Sequence, residues 1–169
     1  MAKELDHRTG LKPRDVTVVF VTHEHGDHFA GIAHFPDARW LASPGVAEVL
    51  NRSGKLPKRI DGVTGRLFAA VDVVPTPGHT AAHHSLRFDC DGVSVMIAGD
   101  AVATRDFFRE RRPFVNAVDV EQWRRWLPWA STATHSGCAS AASSRIECGS
   151  VRATTTMPSL RQPATKYSN

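Results

Sequence analysis

The chain has 169 residues, is 41% hydrophobic and 22% charged, and carries a formal net charge of +4 with a pI near 9.3. That is enough for one domain with a real core, while no run approaches the ~18 apolar residues of a membrane span. Cys90, Cys138 and Cys148 are odd in number and lack CxxC spacing, so neither a disulfide framework nor a cysteine zinc site is indicated, which suits a reducing cytoplasm and agrees with a charged start that has no signal-peptide core.

Residues 15–21 are rich in valine, as a strand buried on both faces would be. They run into His23, Glu24, His25, Gly26, Asp27 and His28, an HxHxDH pattern. In extended chain, side chains two apart share a face, so His23 and His25 can converge on one cation. Asp27 and His28 sit where the chain should turn into a helix, roughly 29–35, and can point at a second position beside the first. Imidazole and carboxylate together suit zinc and tolerate iron, cobalt, manganese or nickel. A solvated polar turn would account for a lone histidine, not for this run.

Residues 40–42 form a short strand candidate, followed by Ser43 as N-cap and Pro44 at the first helical position, with Val46, Val49 and Leu50 marking a buried helix face and 51–57 a loop. The strand candidate 71–74 delivers Thr76, Pro77, Gly78, His79 and Thr80, which makes His79 the natural third ligand. Segments 85–88 and 93–97 flank Asp91 and Gly92, a dipeptide that supplies the positive φ angles of a tight hairpin turn. The second of these, read as a buried strand through Ala98, ends in Gly99, Asp100 and Ala101. The hairpin should bring His79 and Asp100 to one edge, and a carboxylate can bridge two cations. His83 is expected to pack behind the ligands and His84 to be structural; His7 and His34 are surface or packing residues. Arg109, Arg111 and Arg112, interrupted by Glu110, read as a solvated loop rather than a phosphate-tracking groove, so nucleic acid is not the expected partner. Residues 119–127 read as a helix with Asp119 as N-cap and Gln122 three residues on; Pro128 should end it, and Trp123, Trp126 and Trp129 should form a core stripe. Strands alternating with helices make an α/β or α+β layered domain.

The words THEHGDH, TPGHTAAHHSL and AGDA, in this order, resemble the metallo-β-lactamase superfamily over roughly residues 11–127. The resemblance implies an αββα sandwich in which His23, His25 and His79 hold one metal, Asp27 and His28 hold a second, and Asp100 bridges them. It implies zinc, two ions in a complete site, with iron or manganese as alternatives. Asp27, lying among the ligands but outside the three-histidine set, is the candidate to orient the nucleophile and pass its proton. The activity implied is metal-dependent hydrolysis of an ester, thioester or lactone-like bond in a small molecule by a metal-held hydroxide. A nuclease of the same superfamily would need a phosphate-binding segment that is not identifiable, and a non-catalytic metal-binding remnant is the reading from another class.

The chain departs from the family pattern at both ends. Ala82 stands where the family usually has glycine. No Pro-Gly-His turn follows Asp100, and the one later histidine, His135, has no apolar strand before it. Only residues 1–15 precede the first strand, where family members have several strands, so an incomplete sandwich is expected, with an open sheet edge prone to self-association. Residues 131–169 contain 20 Ser, Thr or Ala in 39 positions and one acid, Glu147, against four bases, giving the tail +3 and the body +1. Such a segment should stay without order. The expected division is therefore a domain over 1–130 and a low-order tail over 131–169. A reading-frame shift after Arg125 or an ordinary flexible tail would each account for the change. Without the late histidine, the second metal should be held weakly and activity should be low.

Overall fold

The computed structural model describes residues 2–68 and 70–132. Helix α1 (Ala2–Thr9) opens the chain, and a single 3-10 turn at Pro13–Asp15 precedes the first strand, Asp15 capping the turn by accepting from the Lys12 amide at 2.8 Å. The strand expected over 15–21 therefore starts later, as β1 (Val18–Val21), and only Val21 in it is fully buried. β1, β2 (Arg39–Ala42) and β3 (Asp61–Gly62) make a parallel sheet in that order, with Val18 opposite Arg39 and Leu41 opposite Asp61.

Parallel neighbours need crossover connections. The first crossover carries α2 (Gly26–Phe29) and a 3-10 turn at Ile32–His34. The helix expected at 29–35 is thus displaced and broken. It starts as soon as His25, in extended conformation, takes the cap position, and the following turn stops at Phe35, which precedes Pro36 and is kept out of helical geometry by the proline ring.

The second crossover is α3 (Pro44–Ser53), capped by Ser43 and closed by Gly54 at φ 66°. Val46, Ala47 and Leu50 form its buried face, and Val49, expected there, is 45% exposed. At about 100° per residue, positions 47 and 50 fall on one side of 46 and position 49 on the other. The helix also runs past Asn51, where a loop was expected. Asn51 exchanges two hydrogen bonds with the Ile60 backbone, at 2.9 and 3.0 Å, and so pins the approach to β3.

β4 (Gly65–Leu67), β5 (Val71–Pro75), β6 (His84–Cys90) and β7 (Val93–Ile97) form an antiparallel sheet in chain order. Asp91 and Gly92 turn the last hairpin at φ 51° and 76°, the two positive angles their sequence implied. β7 is not the buried strand expected: Val93 and Ile97 are 40% and 41% exposed, and only Ala98, just past it, is buried. Among the described residues β7 pairs with β6 alone, so one of its edges has no neighbour. The two sheets meet where the His84 amide donates to the Thr22 carbonyl at 3.0 Å.

α4 (Arg105–Arg109) and α5 (Val120–Thr132) complete the described chain. Asp119 caps α5 by accepting from the Gln122 amide at 2.9 Å. Pro128 does not end this helix. A proline inside a helix costs about 3 kcal/mol, while burial of Trp123, Trp126 and Leu127 holds the preceding turns in place. One core cluster gathers Val21, Trp40, Ala42, Val46, Leu50 and Ile60 around the parallel sheet; a second gathers Ala98, Ala101, Val102, Trp123, Trp126 and Leu127. No helix among the described residues is long and apolar enough to cross a membrane. The side chain of Trp129 lies outside the described residues, as do His135, Cys138, Cys148 and all of the expected tail apart from positions 131 and 132, which close α5.

Candidate metal centre

Each chemically active side chain sits just past the end of a strand. His23 and His25 follow β1, His79 follows β5 on the 76–83 loop, and Asp100 follows β7 on the Gly99–Ala101 turn. The strand ends converge, so residues far apart in sequence meet. His23 Nε2 lies 3.1 Å from His25 Nδ1, which lies 3.0 Å from His79 Nε2. Asp100 Oδ2 is 3.4 Å from His79 Nε2 and 4.0 Å from His23 Nε2. One ligand atom from each of His23, His25, His79 and Asp100 falls within 4.8 Å of every other, a group able to hold one cation. Tetrahedral zinc with bonds of 2.0–2.1 Å would set its nitrogens about 3.3 Å apart. The His23–His25 and His25–His79 separations are within a few tenths of an ångström of that.

The other oxygen of Asp100 faces a second pair. His28 Nε2 is 3.3 Å from Asp100 Oδ1 and 3.7 Å from Asp27 Oδ2. The His28 ring stands 4.1 Å from that of His23, so the second group adjoins the first. Asp27 is the outlying member, with a side chain 80% exposed. All six residues singled out in the sequence therefore lie together, four in a tight cluster and two beside it.

Several supporting residues were not legible as such. Thr22 Oγ1 lies 3.1 Å from His23 Nδ1, and a proton on that nitrogen leaves the Nε2 lone pair facing the cluster. Glu24 accepts from the Thr80 hydroxyl at 3.1 Å, tying the first motif to the His79 turn. Behind them, Ser85 Oγ donates to the Ala98 carbonyl at 3.2 Å, which obliges Thr76 Oγ1, 2.7 Å away, to donate to Ser85. Thr76 then has only acceptor capacity for His83 Nδ1 at 2.8 Å. His83 thus carries its proton on Nδ1, and its Nε2 is buried without a partner among the described residues, as is Nδ1 of His79. No residue-level signal in the sequence announces this chain of hydroxyls, because it joins the ends of three strands. His84, as expected, has a structural bond, Nδ1 to the Ala82 carbonyl at 2.8 Å. His7 and His34 are exposed.

Burial sets the charge state. His23 is fully buried, and burial together with its histidine neighbours His28, His79 and His25 pushes its pKa down to about 3. Burial lowers His83 to about 2, helped by His23 and His79. Burial also lowers His79, against the opposing pull of the Asp100 carboxylate. These imidazoles are neutral near pH 7, the form that coordinates metals.

One side of the centre is aromatic. The Phe114 ring lies 5.6 Å from that of His79 and 6.2 Å from Phe107, and the Arg112 guanidinium sits 4.8 Å over Phe107 while bonding Glu110 at 2.5 Å. The three arginines of this loop are exposed, as expected.

Residues 1–159 match the family described as the metallo-beta-lactamase superfamily. The chain belongs to that superfamily. A human relative, metallo-beta-lactamase domain-containing protein 1, is 35% identical over 56% of this chain and 32% of its own length. A solved N-acyl homoserine lactone hydrolase with its product at the catalytic metal centre superposes with a TM-score of 0.63 at 23% identity, covering 76% of this chain and 55% of that one. AidC, a dizinc quorum-quenching lactonase in complex with a product, gives 0.61 at 17% identity over 79% and 58%. At these identities the solved structures establish the fold, a mixed α/β metallo-β-lactamase fold. This chain spans about a third of the human relative and little over half of each solved chain.

Proposed function

We propose that this chain is a metal-dependent hydrolase acting on an ester, thioester or lactone-like bond of a small molecule. The observation that carries the reading is the convergence of His23 Nε2, His25 Nδ1 and His79 Nε2 at 3.1 and 3.0 Å beside Asp100. In this reading His23, His25 and His79 hold one metal, Asp27 and His28 hold a second, and Asp100 stands between them. Neutral imidazoles with carboxylates favour zinc, with iron or manganese as the alternatives. The dizinc lactonase and the lactone hydrolase among the structural relatives support both the metal and the bond type.

Bound zinc supplies Lewis-acid polarisation of an acceptor oxygen and acidifies water. The chain's own residues do the rest. Thr22 orients His23, and burial keeps His23 and His79 neutral with lone pairs available. Asp27, exposed and 3.7 Å from His28, can take a proton from an attacking water and return it to the leaving group. Phe107 and Phe114 offer an apolar wall for the non-reacting part of the substrate. A cytoplasmic setting belongs to the same reading, supported by three cysteines that are odd in number and lack CxxC spacing. So does self-association through the open edge of β7.

The test is zinc content after dialysis, measured with hydrolysis of a panel of nitrophenyl esters, thioesters and lactones, for the wild-type chain and for His25→Ala. Wild-type protein should retain zinc and hydrolyse at least one class, and the variant should lose both. Wild-type protein without zinc, or a variant as active as wild type, would overturn the reading.

A further inference from the structure

We propose that Trp123 and Trp126 of α5 are positioning residues that set the spacing between His79 and Asp100 and thereby the metal affinity of the centre, an inference that rests on the metal-binding reading above. His79 and Asp100 follow β5 and β7, which are separated in the sheet by β6. Strand pairing and the Thr76–Ser85–Ala98 hydroxyl chain tie the bases of the two turns but do not reach His79 or Asp100 themselves, whose Nε2 and Oδ2 stand 3.4 Å from each other.

One helix grips both turns. Trp126 Nε1 donates to the Pro77 carbonyl at 2.9 Å, two residues before His79. Trp123 Nε1 donates to the Ala101 carbonyl at 2.7 Å, directly after Asp100. The two indoles pack edge to face, 6.1 Å apart at 78°, so the two donors are held relative to each other. The His79 turn is further locked onto the start of the helix by the Asp119 amide, which donates to the Gly78 carbonyl at 2.9 Å. Gly78 has φ 135°, and a Cβ there would lie 2.5 Å from Trp123 Cβ, so turn and helix touch backbone to side chain with no slack. Trp123 and Trp126 are 1% and 8% exposed, and an indole N–H can only donate. Each bond thus fixes a carbonyl within two residues of His79 or Asp100.

A matched control exists in the same chain. Trp40 is 2% exposed and donates at 2.8 Å to the Phe35 carbonyl, within the other core cluster. Trp→Phe at each of the three positions keeps a ring and removes one buried hydrogen bond. The experiment is a Co²⁺ titration of the full-length metal-free chain, read by visible absorption, with melting curves in parallel. Trp123→Phe and Trp126→Phe should each weaken cobalt binding about 10–100-fold, the usual effect of losing a group that orients a ligand, and should change the ligand-field bands. Trp40→Phe should lower the melting temperature but leave cobalt affinity and spectrum as in wild type. Wild-type affinity and spectrum in both α5 variants, or an equal loss in Trp40→Phe, would overturn the proposal while leaving the metal site standing. A wild-type chain that binds no cobalt would overturn both. Should Trp123→Phe fail to fold, Trp126→Phe, at the less buried position, decides alone.

Discussion

His23 and His83 have no exposed surface, and burial holds both far below the ordinary value of 6.5, at about 3 and about 2. In the unfolded chain each takes up a proton near pH 6.5, whereas in the folded chain neither does until much lower pH. The unfolded state therefore binds more protons as pH falls from about 6.5 toward 3, and stability drops through that window. The metal-free protein should melt at a clearly lower temperature at pH 5 than at pH 7.5. A melting temperature that does not fall would contradict the buried neutral histidines. HxHxDH, the TPGH turn and the AGD turn each place imidazole or carboxylate at a strand end, which is why the six residues the structure brings together could be singled out from sequence. Their supporting hydroxyls, Thr22, Thr76 and Ser85, were not. A threonine acquires a role only when another strand end arrives within hydrogen-bond reach, and spacing along the chain does not encode that arrival.

Elements whose determinants are local came out as read. Ser43 and Pro44 start α3, Asp119 caps α5, and Asp91 with Gly92 turns the β6–β7 hairpin. Ser43 also does something local sequence cannot reveal: its hydroxyl donates to the Ala82 carbonyl at 2.8 Å, coupling α3 to the loop that carries His79. Ser43→Ala should therefore cost about 2 kcal/mol in chemical denaturation, the sum of a lost cap and a lost buried hydrogen bond. A loss under about 0.5 kcal/mol would mean that neither bond matters. The elements misread were those set by distant partners. Pro128 reads as a stop, but the burial of Trp123, Trp126 and Leu127 keeps α5 going. Val49 reads as apolar and buried, yet the face α3 turns inward is chosen by the sheet beneath it.

At the scale of the molecule, two sheets of different kind, one parallel and one antiparallel, meet at their strand ends, and the histidine cluster occupies that meeting point. The outer edge of the antiparallel sheet is open among the described residues, with Val93 and Ile97 partly exposed on β7. Unpaired strand edges recruit other strands. The wild-type chain should accordingly associate with rising concentration in light scattering, and Ile97→Lys should shift it toward monomer. A wild-type chain that is monomeric throughout would remove self-association from the proposed function. The caps and the hairpin turn, and above all the three motifs that carry the candidate ligands, were determined by the sequence itself, because each depends on neighbours within a few residues. Only the tertiary structure decided that His79 and Asp100 stand 3.4 Å apart, that β7 is an edge strand among the described residues, and that one helix bonds both of their turns. Those facts depend on which distant segments pack together, and packing of that range is settled by the chain as a whole.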